Sequence, residues 1–257
     1  MRIMVKIGSS SLSHKETGRF NIKVADDLAY AMCDLKNAGH DVALVTSGAI
    51  GVGVSKLGLS HRPQTIKGKQ AAAAVGQGEL MYLYDKFFSG YNQIVAQILL
   101  TRDVLTDDSR KVNVHNTLEA LFEYGVIPII NENDTVAVDE VKFGDNDTLS
   151  AMVACLIKAD VLILLTDTDG LYDKDPNLYS DAKLITKVSK VTGQMLENAG
   201  GSVSRVGTGG MQTKLSAAKI CLENGIKTII MNGSNPKKIL ELENENCICT
   251  KFIPEGV

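Results

Sequence analysis

At 257 residues with 44% hydrophobic content, the chain is long enough for one large α/β domain or two small ones, and one domain is the expectation. A formal charge of −3 and a pI near 5.8 argue against nucleic acid or an acidic membrane surface as the main partner, while allowing a local basic pocket. The opening MRIMVKIGSS is too short an apolar run for a signal peptide, and no later run is long enough to span a bilayer, so a cytoplasmic protein is expected. Five cysteines (Cys33, Cys155, Cys221, Cys247, Cys249) form no CxxC pair and read as reduced and structural. Cys247 and Cys249 suit alternate faces of a strand better than a zinc site, and no protein-held metal is expected.

In chain order, residues 3–7 form a β-branched strand carrying Lys6, which runs into Gly8-Ser9-Ser10-Ser11. A lysine ending a first strand ahead of small residues suits phosphate, although this is not the P-loop pattern, and a solvated strand-end lysine explains it equally well. Asn21 is a suitable cap for a helix with Val24, Leu28, Ala31, Met32 and Leu35 on one side, ended by Gly39. Residues 41–45 read as a buried strand ending in Thr46-Ser47-Gly48-Ala49, where Ser47 and the Gly48 N–H would share the carboxyl edge with Lys6, or Ser47 would simply cap the next helix. Residues 68–91 read as a helix whose internal Gly76 and Gly78, each costing about 1 kcal/mol, call for close helix–helix contact. Residues 93–100 are then a strand and 108–123 a helix ended by Gly125.

The segment 129–150, IINENDTVAVDEVKFGDNDTLS, gathers Asn131, Asn133, Asp134, Gly144, Asp145, Asn146 and Asp147 between two apolar runs. Its first half follows the strand-like VIPII, so Asn131 to Asp134 fall at a strand's carboxyl end, where ligands bind in parallel α/β sheets. Its second half opens a helix, with residues 145–148 in the first turn, where free N–H groups hold anions and carboxylates hold an ammonium or steer lysines. A cap accounts for one such residue but not for the whole cluster.

Beyond it, residues 161–165 form an apolar strand that empties into Thr166-Asp167-Thr168-Asp169-Gly170-Leu171-Tyr172, offering hydroxyl, carboxylate and glycine backbone for a ribose, an adenine edge or a metal. A turn at 173–176, a strand or hairpin at 183–190 and a short helix to about 198 follow. Residues 200–214, GGSVSRVGTGGMQTK, then lead into a helix running through Glu223 with Lys214 in its first turn, either a phosphate-binding turn or a surface loop with a solvated lysine. The chain closes with a strand at 228–231, a helix at 236–242 and a strand at 247–252. Two lysines on separate glycine-rich turns, a nucleotide-like TD loop and a carboxylate–amide pocket describe phosphoryl transfer from a nucleoside triphosphate to a small charged acceptor. Alignment and electrostatic stabilisation do most of the work in that chemistry.

VKIGSS, VTSGAIGVG, VIPIINENDTV, GDNDTLSA, LLTDTDGLYDKDP and GTGGMQTK, in this order over essentially the whole chain, resemble the bacterial glutamate 5-kinases of the amino acid kinase family. The resemblance implies an α/β three-layer sandwich with a largely parallel open sheet, and ATP-dependent phosphorylation of the γ-carboxylate of L-glutamate with Mg2+ bridging the nucleotide phosphates. It implies catalytic roles for Lys6, Lys214 and Asp147, and acceptor binding by Ser47, Asp134, Asn146 and Asn131. ATP would bind at Lys6, Gly8, Thr166, Asp167 and the run Thr208, Gly209, Gly210, Met211, Gln212, Thr213 and Lys214. Either Asp134 or Asp145 suits the substrate ammonium. An acceptor-binding part at about 1–155 and a nucleotide-binding part at about 156–257 are expected, without the C-terminal PUA domain that many such proteins carry. A homo-oligomer, feedback binding of proline and glutamyl phosphate reductase as downstream partner are further implications. The alternatives are a sibling kinase acting on N-acetylglutamate, aspartate, carbamate or a nucleoside monophosphate, and a non-catalytic sensor on the same fold.

Overall fold

The computed structural model describes residues 1–137, 146–176, 178–199, 210–242 and 247–254. Arg2–Ile7 (β1) leads into Ile22–Asn37 (α1), Asp41–Val45 (β2), Ala49–Lys56 (α2), Ile66–Gly90 (α3) and Val95–Leu100 (β3). Arg102–Thr106 (α4), Asp108–Glu123 (α5), Ile127–Glu132 (β4), Asn146–Leu156 (α6) and Val161–Thr166 (β5) follow. Lys187–Val188 (β6), Gly193–Ala199 (α7), Met211–Glu223 (α8), Lys227–Asn232 (β7), a 3₁₀ helix at Pro236–Glu241 and Thr250–Phe252 (β8) complete the described elements.

The strands form one sheet in the order β3-β4-β2-β1-β5-β7-β8-β6, parallel throughout except for the antiparallel β7–β8 pair. The chain builds outward from β1, to β2, β4 and β3 on one side and to β5 and β7 on the other. The loops leaving the carboxyl end of β1 and its neighbours therefore part there and leave a crevice, the usual ligand position in an open α/β sheet. The period of two along each strand divides the interior into two cores. Ile3, Val5 and Ile7 of β1 pack with α1, α3 and the 3₁₀ helix, whereas Met4 faces the opposite core, built from α5, α6 and α8. Lys6 shares the parity of Met4 and is thereby sent toward α6 and α8.

Local chemistry sets the element ends. The Asn21 side chain accepts from the Val24 N–H at 3.3 Å and Thr65 from the Gly68 N–H at 3.3 Å, so each satisfies a helix donor that has no partner within its own helix. The glycines of α3 have different explanations. A Cβ on Gly76 would sit 1.8 Å from the Ala49 carbonyl oxygen, and one on Gly53 1.8 Å from that of Ala72, so this pair lets α2 and α3 pack backbone to backbone. A Cβ on Gly78 would meet nothing within 4 Å, so helix contact within the chain does not account for it.

Two further expectations are corrected. Residues 236–241 coil as a 3₁₀ helix. The final strand begins at Thr250, so Cys247 and Cys249 precede it and do not occupy its alternate faces. All five cysteines are free thiols.

Candidate functional site

Asp147 is the centre of the arrangement. It stands in the first turn of α6 and is fully buried (0% exposed), and both predicted lysines reach it. Lys6 Nζ lies 2.5 Å from Asp147 Oδ1, and Lys214 Nζ, from the first turn of α8, lies 3.2 Å from Oδ2. Thr213 donates its hydroxyl to Oδ2 at 2.8 Å. The lysines are themselves 5% and 6% exposed, so three ionised groups with a net charge of +1 are almost entirely removed from water.

Taking one carboxylate out of water costs several kcal/mol unless partners compensate. Burial pushes the Asp147 carboxyl up, but the charges of Lys6 and Lys214, with hydrogen bonds from Lys6 and Thr213, outweigh it and hold the carboxyl at about 2. The N-terminal end of α6 favours a negative charge at that position as well. The excess positive charge makes the cluster an anion site. Gly8 lies beside it, where a Cβ would make an ordinary van der Waals contact with Lys6 Nζ at 3.5 Å.

Gly210 caps α8 with extended backbone and no side chain, and its carbonyl accepts from the Thr213 hydroxyl at 2.8 Å and from Lys214 Nζ at 3.4 Å. The Met211 side chain packs on the core beneath α8, so only its backbone N–H is available at the helix start, while the Gln212 side chain faces solvent. Thr208 and Gly209 lie outside the described residues, as do Gly144 and Asp145.

A second group of polar side chains begins one residue before Asp147. Asn146 Nδ2 donates to the Thr46 carbonyl at 2.7 Å, to Ser47 Oγ at 2.8 Å and to Asn131 Oδ1 at 2.9 Å. Ser47 is therefore an acceptor for Asn146 and does not cap α2, whose cap is Gly48 with a φ of +102°. Asn131, one residue before the end of β4, lies on the face turned toward α3, where its Nδ2 donates to Gln77 Oε1 at 2.8 Å. Asp134 sits half-buried in the turn after β4, closed by Asn133 accepting from the N–H groups of Val136 and Ala137. The sequence-predicted Ser47, Asn131 and Asn146 thus form one connected network. Among the described residues Asn146 Oδ1 is buried there without a hydrogen-bond partner, an acceptor that suits an N–H or ammonium donor.

Gln77 was not among the predicted site residues. Its signal was a polar residue within the buried stripe Ala73, Leu80, Tyr84 and Phe88 of α3, at helical spacing from each. Thr46 was likewise missed; its hydroxyl and that of Tyr84 are 2.8 Å apart.

The third group stands at the end of β5. Thr166 donates to Asp167 Oδ1 at 3.1 Å, and Asp169 accepts from Asn232 Nδ2 at 2.9 Å and from the Tyr172 hydroxyl at 3.3 Å. Parallel pairing of β1 with β5 puts Thr166 on the same sheet edge as Lys6, although among the described residues no hydrogen bond joins Thr166 or Asp167 to the Asp147 cluster.

The family model for the amino acid kinase family matches residues 1–232. The chain belongs to the amino acid kinase family. Among curated proteins, this amino acid kinase is 52% identical over 258 residues to a glutamate 5-kinase of Clostridium acetobutylicum, covering 99% of this chain and 95% of that protein. It is 50% identical over 254 residues to a glutamate 5-kinase of Thermoanaerobacter sp. strain X514, covering 99% of this chain and 68% of that protein. Among solved structures, carbamate kinase from Giardia lamblia bound to AMP-PNP aligns over 99% of this chain and 98% of its own with a TM-score of 0.68 at 16% identity. UMP kinase from Ureaplasma parvum aligns over 98% of each chain with a TM-score of 0.65 at 17% identity. These distant likenesses concern the fold alone, and they match the largely parallel sheet. Among the described residues, no helix is long and apolar enough to cross a membrane, and no group of three or more His, Cys, Asp or Glu side chains could hold a metal ion.

Proposed function

We propose that this amino acid kinase transfers the γ-phosphoryl group of ATP to the γ-carboxylate of L-glutamate, giving L-glutamyl 5-phosphate and ADP, the first step of proline biosynthesis. The observation that carries the reading is the convergence of Lys6 and Lys214 on the buried Asp147, directly beside an amide network at Ser47, Asn131 and Asn146. Identity of 50–52% to glutamate 5-kinases over nearly the whole chain supports the choice of acceptor.

In this reading one γ-carboxylate oxygen attacks the γ-phosphorus, a new P–O bond forms, and the bond to the β,γ-bridging oxygen breaks with its electrons leaving on ADP. The attacking carboxylate is already ionised at neutral pH, so no general base is required. Charge spreads over the oxygens of the transferring group, and Lys6 and Lys214 stand where it develops, held by Asp147 without reorganisation at the moment of transfer. Ser47 holds the acceptor's α-carboxylate side, with Asn131 behind it in the amide network, Asn146 and Asp134 hold its ammonium, and Asp145 remains the second candidate for the ammonium. Thr166, Asp167, Gly8 and the helix start at Gly210–Lys214 hold the nucleotide.

Magnesium fits as an ion carried by the nucleotide phosphates, since the protein groups near the phosphoryl position are cationic and supply no carboxylate cage. When bound it neutralises phosphate charge. The acceptor-binding part at about 1–155 and nucleotide-binding part at about 156–257 form a single kinase domain. We further assign the protein to the cytoplasm, as a homo-oligomer that is open to feedback by proline and hands its labile acyl phosphate to glutamyl phosphate reductase.

The test is ATP-dependent hydroxamate formation by the purified protein with magnesium and hydroxylamine, comparing L-glutamate, N-acetyl-L-glutamate and L-aspartate. Product from L-glutamate alone is expected. Product from another acceptor only would overturn the substrate, and ATP binding without product from any acceptor would favour a sensor.

A further inference from the structure

We infer that Gln77 is a positioning residue for acceptor binding, acting from α3 through Asn131 and Asn146 on Ser47. The inference rests on the proposed function in assigning the acceptor to Ser47 and Asn146.

Two backbone groups fix the direction of the amide network. The Thr46 carbonyl can only accept, so Asn146 must turn its Nδ2 toward it, at 2.7 Å. The Glu132 N–H can only donate, so Asn131 must turn its Oδ1 toward it, at 2.9 Å. Asn131 Oδ1 then also receives Asn146 Nδ2, and Asn131 Nδ2 is forced to point away into the protein. In that buried position an amide N–H needs an acceptor, and Gln77 Oε1 supplies it at 2.8 Å. Ser47 Oγ accepts from Asn146, which leaves its single hydrogen to donate to a carboxylate oxygen.

Gln77 is 8% exposed, and among the described residues its Nε2 is buried without a hydrogen-bond partner. It therefore contributes through its carbonyl alone. The approach of α3 that makes this contact is secured by Gly76 packed on the Ala49 carbonyl, and seven residues beyond Gln77 on the same face Tyr84 reaches Thr46. Burial pushes the Tyr84 hydroxyl well above its ordinary range, so it stays neutral in that bond. Helix α3 thus supports the network of Thr46, Ser47, Asn131 and Asn146 from beneath.

A Gln77→Met variant separates this role from a merely structural one. It removes an unmet buried donor on Gln77 and creates one on Asn131, so stability should change little while the network loosens. In the hydroxamate assay, we expect the KM for L-glutamate to rise about tenfold. The KM for ATP should be unchanged and kcat should stay within about threefold. Gln77→Glu keeps an acceptor oxygen facing Asn131, whether ionised or protonated, and should restore a near-parental KM. Because Gln77 acts through the network that carries Ser47, Ser47→Ala combined with Gln77→Met should weaken glutamate binding by less than the product of the two single effects. A parental glutamate KM in Gln77→Met, or effects that multiply in the double variant, would overturn the inference while leaving the proposed function standing. If Gln77→Met does not fold, Gln77→Glu decides: a KM raised as far as that of Ser47→Ala overturns the inference. A parent protein that makes no hydroxamate from L-glutamate overturns the proposed function, and this inference falls with it.

Discussion

Replacing Asp147 by Asn keeps the shape of the side chain and removes the charge that holds Lys6 and Lys214 together. The carboxyl sits at about 2, against an ordinary 3.8, because the two ammonium groups outweigh its burial. A tenfold difference in proton affinity corresponds to about 1.4 kcal/mol, so ionised Asp147 contributes on the order of 2–3 kcal/mol to stability at neutral pH. The folded-state value is depressed, so this contribution is fully present above pH 4 and is lost as the pH falls from about 4 to about 2. Asp147→Asn has no such term and leaves two nearly buried ammonium groups without a counter-charge, a loss of about 3–5 kcal/mol. Urea unfolding of parent and variant at pH 7, 5, 4, 3 and 2.5 measures both quantities. We expect the variant to be less stable at pH 7 and the gap to narrow by about 2 kcal/mol on acidification. A gap that stays constant from pH 7 to 2.5, or a variant as stable as the parent at pH 7, would refute the picture of an ionised hub.

Three further outcomes follow from the geometry. Lys214→Ala leaves the Lys6–Asp147 pair in place, so the protein should fold and bind glutamate while kcat falls about a hundredfold or more, the cost of about 3 kcal/mol for one well-aimed donor; steady-state kinetics and isothermal titration with glutamate check the two halves. Asp134→Asn should raise the KM for L-glutamate much more than that for ATP, and equal effects on both would remove Asp134 from the acceptor pocket. Gly76→Ala drives a methyl into the Ala49 carbonyl and should lower the melting temperature by several degrees, whereas Gly78→Ala meets open space and should raise stability by up to about 1 kcal/mol through helix propensity, both read by thermal melts.

How far the sequence reached depended on the range of each signal. The cap at Asn21, the helix start expected at residues 145–148 and the apolar runs of β1, β2 and β5 are local patterns, and each recurs in the structure at or within a residue or two of its expected bounds. The parity of β1, which sends Lys6 toward α6, can also be read from alternation. Partner choice across the fold cannot be read this way. Ser47 reads equally well as a ligand-facing serine or as a helix cap; only the arrival of Asn146 from ninety-nine positions away decides between them. Gln77 shows the same limit: a glutamine in an apolar stripe signals a buried contact without naming Asn131 as its recipient. Gly76 and Gly78 carry the same local signal, but only the first lies against a neighbouring helix.

The placement of Asn146 and Asp147 as consecutive residues gives the reading its mechanical sense. The Asn146 side chain turns toward Ser47 and Asn131, and the Asp147 side chain turns toward the lysines, so the acceptor network and the cationic cluster are joined by one peptide unit, about 3.8 Å between Cα atoms. On the proposed mechanism the acceptor oxygen and the phosphoryl group must meet within about 3–3.5 Å and in line, and an error of about 1 Å costs about a hundredfold in rate. Fixing both partners from a single rigid turn of α6 keeps that separation independent of loop movement. The turn is anchored in depth as well, because Ser150 donates its hydroxyl to the Asp147 carbonyl at 2.6 Å and Asp147 is sealed from solvent. On the same proposed mechanism charge balance makes the arrangement selective: the net +1 of the cluster would attract the phosphoryl oxygens, while the neutral amides beside it would bind the acceptor without cancelling that charge.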